Sequence, residues 1–199
     1  ELLNVIRVVW GVVLKVAEMC GIGREIPCEI EAFVFGNIGM MSEGRCSLTN
    51  YATGVSTNMH GVCSPASAVQ YVRHPDGSTS AELGPFDIDC YSAAESTGYP
   101  TICKGRYTNS ERLDAYYAFE EPVTLNLSTL LPNLMAAGVT ALKIEGRQRS
   151  RSYVNLVVSA FRRAVDDIFA GLDPDLSGLV QLTEGGKETQ GAFKTKKWR

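Results

Sequence analysis

The chain has 199 residues, enough to bury a substantial core in one domain or slightly more. Its 19 Lys and Arg face 22 Asp and Glu, a formal net charge of -3, which argues against nucleic acid as a partner. The most apolar early segment, VIRVVWGVVLKVAEMC, is broken by Arg7 and Lys15 well short of the about eighteen apolar residues that cross a membrane. There is no basic start with a small-residue cleavage site, so the expected compartment is the cytoplasm. The opening at Glu1, directly into a strand-like run, suggests a truncated product.

In chain order, VIRVV at residues 5–9 predicts a strand. Residues 12–20 predict a helix with Val12, Val13, Val16, Ala17 and Cys20 towards the core, stopped by Gly21 and Gly23. EIEAFVF at 29–35 predicts a second strand ending before Gly36, which completes a β/α unit. From Asn37 to Thr108 the pattern changes to short apolar runs between turn signals such as GVCSPAS, RHPDGSTS and STGYP. Within it VQYVRH leads into a PDG turn and returns near SAELG. Such an irregular insert needs cross-linking of some kind to hold it.

Periodicity returns at SERLDAYYAF, a short helix capped by Ser110. EPVTLNL at 121–127 reads as a strand, LLPNLMAA as a helix begun by Ser128 and stopped by Gly138, and VTALKI at 139–144 as another strand. Glu145 to Arg149 form a polar turn. Ser150 then caps the strongest helix, 151–169, with Tyr153, Val157, Phe161, Val165 and Phe169 on one stripe. GLDPDLSG reads as a linker and the rest as a solvated tail.

The expected fold class is α/β, a partial TIM-type barrel with an irregular cysteine-rich insert and its N-terminal strands missing. Residues 1–36 and 109–170 would be barrel-derived units, 37–108 the insert, and 171–199 linker and tail. The insert leaves after Phe35 and the polar turn follows Ile144, so both fall on the face beyond the strand ends. Three or four strands cannot close a barrel, which leaves open edges for missing strands or a partner to cover.

Six cysteines without an export signal suggest buried thiols, a nucleophile or a metal site. Cys46, Cys63 and Cys103 lie in the insert beside Gly44, Gly61 and Gly105, which permit close backbone approach to bound sulfur. Thiolates favour zinc, copper(I) or iron–sulfur clusters, and His60 would complete a Cys₃His zinc site. His60 could also serve as base to a nucleophilic cysteine, and inert thiols remain the plain reading. Lys143, Glu145 and Arg147 form a second group. As surface residues they make an ordinary ion pair; at a barrel mouth they are catalytic candidates, with the Arg147 fork recognising a carboxylate or phenolic oxygen.

GRCSLTNYATG, GVCSPAS, TGYPTICKGRY and ALKIEGRQRS, in that order, resemble the collagenase-like peptidase family, the U32 type, from about Val5 to Trp198. The likeness is nearest to its oxygen-independent ubiquinone-biosynthesis branch, the UbiU type, of which the chain would be the C-terminal part. That resemblance implies a 4Fe-4S cluster bound by Cys46, Cys63 and Cys103, with Gly39 standing where the fourth cysteine belongs, so the cluster would be incomplete or lost. Cys20, Cys28 and Cys90 are spare thiols; Cys28 sits at the far end of its strand from Gly39. The resemblance also implies a heterodimer with a UbiV-like protein, a prenylated aromatic quinone precursor as substrate and prephenate as oxygen donor. Other branches imply hydroxylation of transfer or ribosomal RNA, peptidase activity, or a non-catalytic metal-binding subunit.

Overall fold

The computed structural model describes residues 4–39 and 46–193. In chain order the elements are β1 (Arg7–Trp10), α1 (Val16–Gly23), β2 (Glu29–Asn37), α2 (Ser47–Thr53) and α3 (Thr57–His60). β3 (Val69–Arg73), β4 (Thr79–Leu83), β5 (Phe86–Tyr91), β6 (Arg106–Tyr107) and β7 (Tyr116–Tyr117) follow. The chain continues through β8 (Thr124–Asn126), α4 (Leu131–Ala136), β9 (Val139–Ile144), α5 (Arg151–Phe169) and β10 (Glu188–Thr189). They form two compact units, one of residues 1–38 with 123–199 and the other of 39–122. No described helix is long and apolar enough to cross a membrane.

The first unit is built on β2. Ile30, Ala32 and Val34 alternate into the core, and Phe35 meets Phe161 of α5 edge to face with ring centroids 5.8 Å apart. β1 and β9 pair with β2 in parallel, whereas β8 pairs with it antiparallel and carries β10 parallel to itself. The result is a five-stranded mixed sheet. It corrects the expected TIM-type barrel: among the described residues β1 and β9 pair only with β2, and the antiparallel β8 breaks the all-parallel order. A closed barrel needs every strand paired on both edges at one consistent stagger.

α5 spans 151–169 as the sequence predicts, with the Ser150 hydroxyl accepting from Tyr153 N at 3.1 Å. Val157 and Phe161 of the predicted stripe are buried together with Ala164, whereas Phe169 at the end of that stripe is 75% exposed. The first helix begins later than expected. Val12 and Val13, β-branched and slow to enter a helix, lie in a turn closed by Leu14 N on Gly11 O; Lys15 caps α1 just before Val16, and its N–H is taken by Glu18 at 2.9 Å. Met19 is then the residue α1 buries, and Val13 is exposed. Residues 177–193 also depart from a solvated tail: Leu179 and Phe193 enter the core, and Glu188 and Thr189 extend the sheet.

In the second unit β3 and β4 make the hairpin foreseen around PDG, closed by Asp76, which accepts from Ser78 N at 2.9 Å. β5 adds a third strand. The helix expected at 110–119 does not form, because the Asn109 side chain takes the N–H groups of Glu111 and Arg112 and so offers the backbone a turn instead. Tyr116 and Tyr117 pair with β6. A small core of Ala52, Leu83, Ile88 and Ile102 holds the unit, and ion pairs reinforce it. Arg106 bridges Asp89 and Glu95, at 2.8 Å to each. Lys104 meets Glu120 at 2.9 Å with both side chains about 95% buried, their exposures being 5% and 4%.

Two outcomes follow from these contacts. Gly36 sits at φ 142° and a Cβ there would stand 2.3 Å from that of Glu145, so Gly36→Ala is expected to cost about 3 kcal/mol, read by urea unfolding. An unchanged midpoint would refute the close approach. Secondly, Ser92 N–H and then Arg106 hold the Glu95 carboxyl down to about 2 from 4.5. A depressed carboxylate stabilises fully above its unfolded value and loses that stabilisation as pH falls towards its folded value. Glu95→Gln should therefore be less stable than the parent above about pH 5 and converge with it near about pH 2 in thermal melts; parallel curves at every pH would sink the idea.

Candidate functional site

The cysteine group comes first. Cys46 immediately precedes α2 and acts as its cap: its Sγ accepts from Thr49 N at 3.4 Å and from Thr49 Oγ1 at 3.3 Å. Cys63 is exposed in the turn after α3, where the neighbouring Ser64 carbonyl accepts from the Tyr99 hydroxyl at 3.0 Å. Cys103 is buried in a 3₁₀ turn, Ile102–Lys104, against which α2 packs. Tyr107 closes that turn with a 2.5 Å bond to Ile102 O, and burial, together with the nearby Cys103 and Asp89, pushes its phenol up to about 12. Gly39 is exposed and supplies no donor.

These positions do not assemble a metal centre. Among the described residues no group of three or more His, Cys, Asp and Glu side chains is arranged to hold a metal ion. The expected 4Fe-4S cluster on Cys46, Cys63 and Cys103 is therefore corrected, and with it the Cys₃His zinc alternative. The donor set does not fit: one thiol caps a helix, one belongs to an exposed residue, one to a buried residue in the Ile102–Lys104 turn, and the fourth position is glycine. His60 is exposed at the end of α3, and His74 Nε2 is 2.8 Å from Ser80 Oγ. Cys20 and Cys28 are half-buried and Cys90 is exposed. The cross-linking expected of the irregular insert falls to Arg106 and to the buried Lys104–Glu120 pair.

The second group lies beyond β9 in the other unit. Glu145 is fixed: its N–H binds Phe35 O at 2.8 Å, and its carboxylate accepts from Arg147 N at 2.6 Å and stands 4.0 Å from Arg149 Nε. Lys143 and Arg147 are exposed. The side chain missed in the sequence is Arg149, which is ion-paired to Glu184 and lies over the Tyr153 ring at 5.1 Å. Burial pulls the Arg149 guanidinium down, but Glu184, Tyr153 and Glu145 outweigh that and hold its pKa above the ordinary value. KIEGRQRSR advertises its basic residues; Glu184, 35 positions away, has no local signal pointing to Arg149. Arg149, Arg151, Val154, Asn155 and Val158 line a surface cleft of about 420 Å³.

Comparison with known proteins supplies the rest. The chain is 31% identical over 196 residues to tRNA hydroxylation protein P of Haemophilus influenzae, an alignment covering 88% of this chain and 42% of that protein. It is 30% identical over 194 residues to the Escherichia coli protein of the same name, covering 90% and 42%. To tRNA hydroxylation protein P1 of Bacillus subtilis it is 28% identical over 162 residues, covering 81% and 31%. The chain thus spans well under half the length of these relatives. No solved structure matches. These relatives correct two expectations. They carry tRNA hydroxylation in their names, so net charge does not set nucleic acid aside, and nothing among them supports a UbiV-like partner with a quinone precursor and prephenate; none of them is named for the ubiquinone branch. The model of Peptidase family U32 matches residues 1–195, and the chain belongs to that family.

Proposed function

We propose that this chain is part of a U32-family protein that hydroxylates transfer RNA, and that it contributes RNA contacts to that activity. The observation that carries the reading is the likeness, at 30% and 31% identity over about nine-tenths of the chain, to two proteins named for tRNA hydroxylation. The distribution of charge supports it. A net charge of -3 averages over two unequal units, and RNA is held by local patches of Lys and Arg, whatever the sum. In this reading the exposed Lys143 and Arg147 face the RNA, and Glu145 positions their turn by accepting from Arg147 N.

Deleting the gene in its own host should remove one hydroxylated nucleoside from bulk tRNA, measured by mass spectrometry of the digested pool, and the full-length gene should restore it. A nucleoside profile identical in deleted and parent strains would end this reading.

A further inference from the structure

Charge is divided unevenly between the two units. Residues 39–122 carry five Lys and Arg against ten Asp and Glu, whereas the rest of the chain carries fourteen against twelve. Four of those fourteen, Lys143, Arg147, Arg149 and Arg151, fall within nine residues that contain a single acid, Glu145. Glu145 and Glu184 are taken up by Arg149. Among the described residues no carboxylate pairs with Lys143, Arg147 or Arg151.

The cleft beside this patch has a definite chemistry. Arg151, Asn155 and Val158 follow one another at i, i+4 and i+7 on α5, with Val154 alongside, so they share a face distinct from the buried Val157, Phe161 and Ala164. The cleft is lined by one guanidinium held in place, Arg149, and by Arg151, which pairs with no carboxylate among the described residues. Arg149 is immobilised by Glu184 and by the Tyr153 ring, which lowers the cost of presenting it. The cleft's apolar lining is Val154 and Val158, the latter 47% exposed. The positive end of the nineteen-residue α5 adds to the same sign of potential. A planar fork for anionic oxygens beside a small exposed apolar surface suits a sugar-phosphate unit lying along an open depression.

We propose that the Arg149–Arg151–Asn155 cleft seats one backbone phosphate of a tRNA, with Val154 and Val158 beneath the adjoining ribose. This rests on the RNA reading above and gives it a location. Arg151 is the residue to test, because it is exposed and pairs with no carboxylate among the described residues.

The experiment is fluorescence anisotropy of labelled tRNA against the full chain across a salt series. The parent should bind, Arg151→Glu should weaken binding about tenfold, and Arg151→Gln should reduce the slope of log affinity against log salt by roughly one. Arg151→Lys, which keeps the charge, should retain most of the binding. Arg73→Gln, an exposed cation of the acidic unit, should leave it unchanged. Parent-like affinity and slope in both Arg151→Glu and Arg151→Gln, with the parent binding tRNA, would overturn the location and leave the RNA reading standing. A parent chain that binds no tRNA would overturn both. Adenosine monophosphate that binds the cleft and is not displaced by tRNA would assign the site to free nucleotides and overturn the proposal.

Discussion

Strand β2 is the constraint on which the first unit depends. It carries hydrogen-bonded neighbours on both edges, β1 and then β8 on the sheet path and β9 off it, while alternate side chains enter the core. Three ladders share this one nine-residue strand because β1 pairs with its first half, Glu29–Ala32, and β8 with its end, Phe35–Asn37, while the end also passes close to the start of the polar turn after β9. Gly36 allows that passage: it adopts a backbone conformation that side chains rarely tolerate, and it leaves the space that Glu145 occupies. Once Glu145 is set there, its carboxylate closes the turn on Arg147 N, and Arg149 and the start of α5 follow from it. The placement of the basic cleft thus descends from the absence of one methyl group.

The second unit solves a different problem. Its apolar core is small, four fully buried residues with a few partners, and most of its backbone is in turns and short strands. What it adds is buried charge. A Lys–Glu pair withdrawn from water is costly to form and still more costly to break, because removing one partner strands the other in a medium that solvates it poorly. Arg106, spanning Asp89 and Glu95, ties β6 to β5 and to the segment after β5, and burial of its guanidinium is outweighed by those two carboxylates, so its pKa stands above the ordinary value. Such a network specifies one arrangement of a segment that hydrophobic contact alone would leave ambiguous. It occupies the structural role for which the sequence had suggested thiolates.

Net charge was the weakest guide to function. Summed over 199 residues it is mildly negative, yet the acidic excess sits in 39–122 and the basic cluster in a nine-residue stretch of the other unit. Screening in physiological salt acts over roughly 8 Å, so a phosphate near Arg151 responds to its immediate neighbours and hardly at all to carboxylates elsewhere on the surface.

Much was legible before any coordinates. The 3.6-residue spacing of Val157 and Phe161 with Ser150 before them specified α5, the alternation in EIEAFVF specified β2, and Asp76-Gly77 between β-formers specified the β3–β4 hairpin, because each depends on neighbours close in sequence. The four motifs placed the chain in its family. Other features were decided only in three dimensions. The antiparallel course of β8, the docking of Phe193 and the pairing of Arg149 with Glu184 join residues tens of positions apart, for which local propensity carries no information. The fate of the thiols was of the same kind: cysteines spaced along a chain can suggest a ligand set, but a metal site requires their sulfurs to converge, and convergence is a property of the folded backbone alone.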